Sequence, residues 1–160
     1  MKEKIKKYHE SFIKITSLFQ HPLLFIVRLY WGWQFLITGW GKLHNIEKVT
    51  EFFIELKIPL PELNAYFVGG LEFVGGALLL VGLAARIIAL PLTVNMIVAY
   101  LTADREAVLQ IFSNQEPFFA AAPFLFLYAS LLVLAFGPGC FSLDALLKLQ
   151  CKKCEKGLPQ

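Results

Sequence analysis

Four long apolar stretches, separated by short clusters of charged residues, constrain this chain more than any other feature. Each is close to the roughly 20 mostly apolar residues that a helix needs to cross the hydrocarbon core of a bilayer. The chain is 57% hydrophobic and 17% charged, whereas soluble domains carry about 25% charged residues. We therefore predict an all-α fold, an integral membrane four-helix bundle. The predicted spans are Pro22–Gly41, Leu63–Ala84, Ile87–Ala103 and Phe118–Phe136.

Two amphipathic segments flank the first span. Residues 1–21 combine an apolar stripe with five lysines, and the segment Glu47–Lys57 carries a second apolar stripe opposite its glutamates. We expect both to be interfacial helices on the membrane surface; alternatively, the second is a lid over the outer end of the bundle. The domain organisation is then a basic N-terminal helix at 1–21, a transmembrane domain at 22–144 and a basic, cysteine-containing tail at 145–160.

The positive charges predict the orientation. Ten Lys and Arg residues flank one side of the predicted spans and four flank the other. The side with more Lys and Arg is normally cytoplasmic. We expect a multi-pass protein of the plasma (inner) membrane with both termini in the cytoplasm and a tight cytoplasmic turn at Ala85-Arg86. The first apolar stretch is too long for the core of a cleaved signal peptide, so we expect it to be retained.

Two ionisable residues fall inside spans, where charges are costly and functional roles are common. Arg28 lies in span one and Glu72 in span two, and glycines at helical spacing flank each of them. Small residues let helices approach closely in lipid, so both side chains should point into the bundle. We predict that Arg28 and Glu72 pair there as a catalytic polar centre; the alternative is a buried ion pair that only fixes the helix register.

Four further residues are candidates for ligand binding. Lys42 shares a face of span one with Arg28, and Asn95 lies in span three; Trp31 and Phe35 could line a ring site. Asn95 could instead bridge helices by hydrogen bonding, and the aromatic residues could serve packing alone.

Cys151 and Cys154 form a CxxC pair in the basic tail. Neighbouring lysines favour the thiolate, so a redox role is one interpretation. Lipidation, a zinc site shared between chains and a dispensable tail remain open. We predict no metal site within the chain.

Several ordered motifs together resemble the signature of the DoxX family. They spread over residues 25–145, and the positions that carry the resemblance are Arg28-Leu29, Gly39-Trp40-Gly41-Lys42-Leu43, Pro59-Leu60-Pro61, Glu72-Phe73-Val74-Gly75-Gly76, Gly82-Leu83-Ala84-Ala85-Arg86, Gly137-Pro138-Gly139 and Ser142-Leu143-Asp144. The resemblance implies a four-helix membrane protein. Family members include the membrane subunit of a thiosulfate:quinone oxidoreductase, and others are linked to oxidative stress or to assembly.

We accordingly expect the chain to be a redox-linked membrane subunit that binds a quinone in the Arg28/Glu72 polar centre. The membrane subunit of a thiosulfate:quinone oxidoreductase is an example of such a protein. The chain has no haem-ligand pair, flavin motif or iron–sulfur cysteine set, so we expect no intrinsic cofactor. Electron transfer would then use a bound quinone or a soluble or membrane redox partner protein. The other expected partners are membrane lipids and a second copy of the chain, with no nucleic acid. The alternatives are a non-enzymatic assembly or chaperone-like protein and a small-solute transporter.

Overall fold

The computed structural model describes residues 2–139 and 142–147, and this part of the chain is helical without a β-strand, as predicted. The helices are α1 (Lys2–His44), α2 (Ile46–Glu55), α3 (Pro61–Val81), α4 (Ala85–Thr102), α5 (Arg105–Leu109), α6 (Glu116–Ala120) and α7 (Ala122–Phe136). Helix α1 packs along α3, α4 packs against α7, and α2 lies against α3.

Two of the described helices are long and apolar enough to cross a membrane. These are α3, with 21 residues, and α4, with 18, and they match the predicted spans two and three to within three residues at each end. Helix α7 is apolar but has only 15 residues. The membrane-spanning roles of α1 and α7 therefore stay predictions.

The first helix is longer than expected. Residues 1–21 and span one were predicted as two elements, but α1 runs without a break from Lys2 to His44 and includes Pro22. Proline removes one backbone hydrogen bond from a helix interior, and the helix continues through that loss. Both segments are helical as predicted, while the location of the N-terminal part on the membrane surface is still a prediction.

Glycines on α1 and α3 bring the two backbones into direct contact. A Cβ added at Gly39 would lie 2.8 Å from the carbonyl carbon of Glu72, and one at Gly76 would lie 2.7 Å from the carbonyl oxygen of Gly32. Neither position could hold a larger residue without moving a helix. The predicted glycine faces are thus confirmed, and they fix an antiparallel register in which Gly39 lies opposite Glu72.

The turn between α3 and α4 comes earlier than expected, at Gly82–Ala84 instead of Ala85-Arg86. Gly82 ends α3 with a φ of 73°, and Ala84 precedes α4 with a φ of 49°. The carboxylate of Asp144 accepts hydrogen bonds from the backbone N–H groups of Ala84 (2.8 Å) and Ala85 (3.1 Å). The C-terminal motif therefore caps α4 and fixes the turn.

Helices α4 and α7 meet through a buried polar contact within an apolar core. The hydroxyl of Thr93 donates to Ser130 Oγ at 3.0 Å, surrounded by residues such as Leu92 and Val133. The predicted fourth span, Phe118–Phe136, is divided into α6 and α7 at Ala121, whose backbone is extended (ψ 136°). Pro123 lies in the first turn of α7, where its missing N–H is tolerated.

Candidate functional site

Glu72 is the centre of a buried polar cluster formed by α1, α3 and α4. It is 1% exposed. Its Oε1 accepts a hydrogen bond from Lys42 Nζ at 2.5 Å and another from Asn95 Nδ2 at 3.0 Å. The structure therefore joins an ammonium, a carboxylate and a carboxamide, three candidates that the sequence identified separately, around one oxygen.

The second carboxylate oxygen of Glu72 is buried and receives no hydrogen bond from the described residues. Buried polar atoms in folded proteins nearly always have a partner. An oxygen of this kind can accept a hydrogen bond from a ligand, or it can carry the proton when the carboxyl group is neutral. The cluster thus retains an unused capacity for binding or proton exchange.

Lys42 reaches this cluster from the last turn of α1. The close contact of α1 and α3 at Gly39 brings this turn alongside α3, and the apolar stem of lysine can lie along the helix surface while its charged end extends. Its side chain is 34% exposed. The Lys42–Glu72 ion pair therefore joins a buried carboxylate to a partly accessible cation.

Arg28 does not belong to this cluster, so the predicted Arg28–Glu72 pairing is wrong. Arg28 is 2% exposed, donates from Nη1 to the Pro138 carbonyl oxygen at 2.9 Å and packs beside Gly82. Gly82 lies ten positions after Glu72, which is about 15 Å of helix. The prediction assumed that antiparallel packing brings the two side chains to a similar depth, whereas the glycine contacts set a different register.

Arg28 instead lies with Arg86 and Asp144, the charged residues around the α3–α4 turn. Asp144 caps α4, and Arg86 donates to the Ala135 carbonyl oxygen at 3.2 Å. Together these contacts attach the end of α7 and the segment after it to the α3–α4 turn. Their geometry indicates a structural role at the end of the molecule away from Glu72.

A cavity of about 370 Å³ adjoins the Lys42–Glu72–Asn95 cluster, and we refer to it as the central cavity. Its volume is at the lower end of the range of about 300–1,000 Å³ found for small-molecule sites. The three polar side chains lie in its wall, and most other lining residues are apolar. Those contributed by α3, α4 and α7 include Val68, Met96, Val98, Ala99, Pro123 and Phe126.

Helix α2 closes one side of the central cavity. The predicted helix Glu47–Lys57 is confirmed as α2, and its apolar stripe contributes four lining residues: Val49, Phe52, Phe53 and Leu56. This arrangement agrees with the lid alternative, since the apolar stripe covers a cavity. The stripe was visible in the sequence, but nothing local showed what it would cover.

The two aromatic candidates of α1 are outside the cavity. Phe35 is fully buried, and its ring centroid lies 4.7 Å from that of Phe126, while the Trp31 ring lies 5.1 Å from the same partner. They support Phe126, a lining residue that sequence reasoning missed. Cys151 and Cys154 lie outside the described residues.

Comparison with known proteins identifies the family. The family model described as DoxX matches residues 23–105, slightly more than half of the chain. The chain belongs to the DoxX family. DoxX proteins are membrane proteins, which agrees with the apolar helices α3 and α4. The match includes the whole Lys42–Glu72–Asn95 cluster and most of the central cavity.

A curated relative carries the printed name "Putative oxidoreductase CatD" and comes from Bacillus subtilis (strain 168). It is 32% identical to this DoxX protein over 82 residues, which cover 51% of the chain and 60% of the relative. The chain thus matches less than two thirds of that protein's length. No solved structure matches the chain.

Proposed function

We propose that this DoxX protein is a multi-pass subunit of the plasma (inner) membrane that binds the ring of a quinone in the central cavity. The observation that carries the proposal is the Lys42–Glu72–Asn95 cluster, centred on a buried carboxylate, in the wall of a largely apolar cavity. Ionisable groups within membrane helices are costly and commonly mark functional sites.

The proposed topology has α1, α3, α4 and the α6–α7 pair crossing the bilayer, with both termini in the cytoplasm. The excess of Lys and Arg on that side supports this orientation. Helices α6 and α7 together extend from Glu116 to Phe136, a length of about 30 Å if helical, which matches the hydrocarbon core.

The chemistry of the cluster suits a quinone. A ring carbonyl oxygen can accept hydrogen bonds from the Lys42 ammonium and the Asn95 amide, and the apolar wall can contact the ring faces. Reduction of a quinone to a quinol takes up two electrons and two protons. In this proposal a reduced partner protein supplies both electrons, Glu72 passes one proton through Oε2 to the ring oxygen in the cavity, and water supplies the second proton to the other ring oxygen.

The name of the B. subtilis relative supports redox chemistry in the family without identifying the substrate. The alternative of an assembly or chaperone-like protein requires no buried carboxylate beside a cavity. The quinone proposal therefore accounts for more of the site.

Equilibrium binding of a short-tailed ubiquinone to the purified protein in nanodiscs tests the proposal. We expect Lys42→Met to weaken binding by about tenfold, the equivalent of one lost charged hydrogen bond to the ring carbonyl. Glu72→Gln should weaken binding less, because it removes only the negative charge that holds the Lys42 ammonium at the cavity wall. The matched controls are Glu62→Gln and Lys48→Met, which alter exposed residues of the same types on α3 and α2.

The melting temperature of each variant, followed by circular dichroism, separates loss of binding from loss of fold. Binding that is absent in the wild type, or unchanged in folded Glu72→Gln and Lys42→Met, would refute the proposal.

A further inference from the structure

A groove lies between α3 and α4 on the outside of the molecule. It encloses about 420 Å³, and we call it the lateral groove. Its lining is largely apolar and includes Phe67, Leu71, Leu90, Pro91 and Val94. Phe67 is 63% exposed and Val94 is 52% exposed. Because α3 and α4 are the two described helices that are long and apolar enough to cross a membrane, this groove would open towards the lipid.

The lateral groove and the central cavity share part of their walls. Asn64, Val68, Asn95 and Val98 line both. One layer of side chains therefore lies between the lipid-facing surface and the cavity. Asn95 itself donates to Glu72 on one side and borders the groove on the other.

The central cavity and the lateral groove differ in size and polarity, so each suits a different part of a ligand. The central cavity, at about 370 Å³, is near the lower limit of small-molecule sites, so it suits one ring but not a ring with a long chain. The polar groups that recognise a carbonyl are in the cavity, whereas the groove offers mainly apolar side chains. An amphipathic ligand with a polar ring and a hydrocarbon tail would match this division.

We infer that the ligand is a long-tailed, lipid-soluble quinone whose tail leaves the cavity between Val68 and Val98 and lies in the lateral groove, with its end in the bilayer. The inference rests on the proposed quinone site and adds the ligand class and its route. Ligand exchange then takes place sideways from the lipid, between α3 and α4.

Binding of two quinones with the same ring, one with a methyl substituent in place of the tail and one with a decyl tail, tests the inference. The variant Val94→Trp places a bulky ring in the groove, and Leu90→Trp does so at a second position. Val74→Trp is the matched control, because Val74 lies on α3 outside both spaces and is also 52% exposed.

We correct each affinity for the partition of that quinone into empty nanodiscs. In the wild type we then expect the decyl quinone to bind at least about tenfold more tightly than the tail-free quinone. Val94→Trp and Leu90→Trp should remove this advantage and leave the affinity for the tail-free quinone unchanged, and Val74→Trp should alter neither. If the tail-free quinone binds but the tail gives no advantage, or the groove variants do not affect it, the lateral route is wrong while the ring site stands. If neither quinone binds, the ring site and the route are both wrong.

Discussion

The Lys42–Glu72 ion pair takes the place of the Arg28–Glu72 pair that the sequence suggested. A double-mutant cycle tests it, because such a cycle measures the coupling free energy between two contacting residues. Removing one partner of a buried ion pair costs about 3–5 kcal/mol. We expect Lys42→Met to fall at the lower end of that range, since the Lys42 side chain is 34% exposed. Glu72→Gln should cost about 1–3 kcal/mol, because its amide oxygen can still accept hydrogen bonds from Lys42 and Asn95.

The double variant Lys42→Met/Glu72→Gln should lose less stability than the two single changes together. No uncompensated charge remains in it, so we expect a coupling free energy of about 2 kcal/mol, within the range found for contacting residues. The measurement is the free energy of unfolding in mixed micelles titrated with sodium dodecyl sulfate, followed by far-UV circular dichroism.

A second cycle with Arg28→Met and Glu72→Gln is the control. Arg28 packs near Gly82, about 15 Å along α3 from Glu72 by helix rise, and distant sites add to within about 0.3–0.5 kcal/mol. Additivity in the Lys42 cycle, or strong coupling in the Arg28 cycle, would refute the register that we describe.

Three other substitutions test the packing, each by the melting temperature in detergent. Gly39→Val should destabilise the protein by at least about 1–3 kcal/mol because the valine side chain would meet the α3 backbone. Gly41→Val should have little effect because nothing lies within 4 Å of a Cβ there. Equal effects of the two substitutions would contradict the close contact of α1 and α3. Asp144→Ala should cost about 0.5–2 kcal/mol through loss of the cap on α4, and an unchanged melting temperature would argue against that cap. Thr93→Val should cost about 1–3 kcal/mol by leaving buried Ser130 without its donor, a loss that Ser130→Ala in the same chain should partly reverse.

The sequence was sufficient for features that depend on local pattern. Hydropathy located α3 and α4, and the alternation of glutamates with apolar residues identified α2. Gly39 and Gly76 were recognised as close-packing positions because helical geometry alone puts such residues on one face. The candidate residues Lys42, Glu72 and Asn95 were also visible individually.

The sequence did not predict features that depend on packing between helices, such as their register and the lining of the cavity. Arg28 and Glu72 have opposite charges and comparable positions in their spans, yet the glycine contacts place Arg28 beside Gly82. The break at Ala121 has a local signal in Pro123, but the contribution of Phe126 to the cavity likewise depends on how α7 packs against its neighbours. No single-residue preference contains that information.

The glycine contact between α1 and α3 has a mechanical consequence. Two backbones that touch directly have no side-chain layer that could rearrange, so sliding of one helix past the other would require separation of the pair. Helices that meet through side chains can adjust by changes of rotamer. The α1–α3 pair should therefore be stiffer than the contacts that α2, α4 and α7 make through side chains. The carboxylate of Glu72 is attached to α3, so its position should change less than the positions of those helices when a ligand enters.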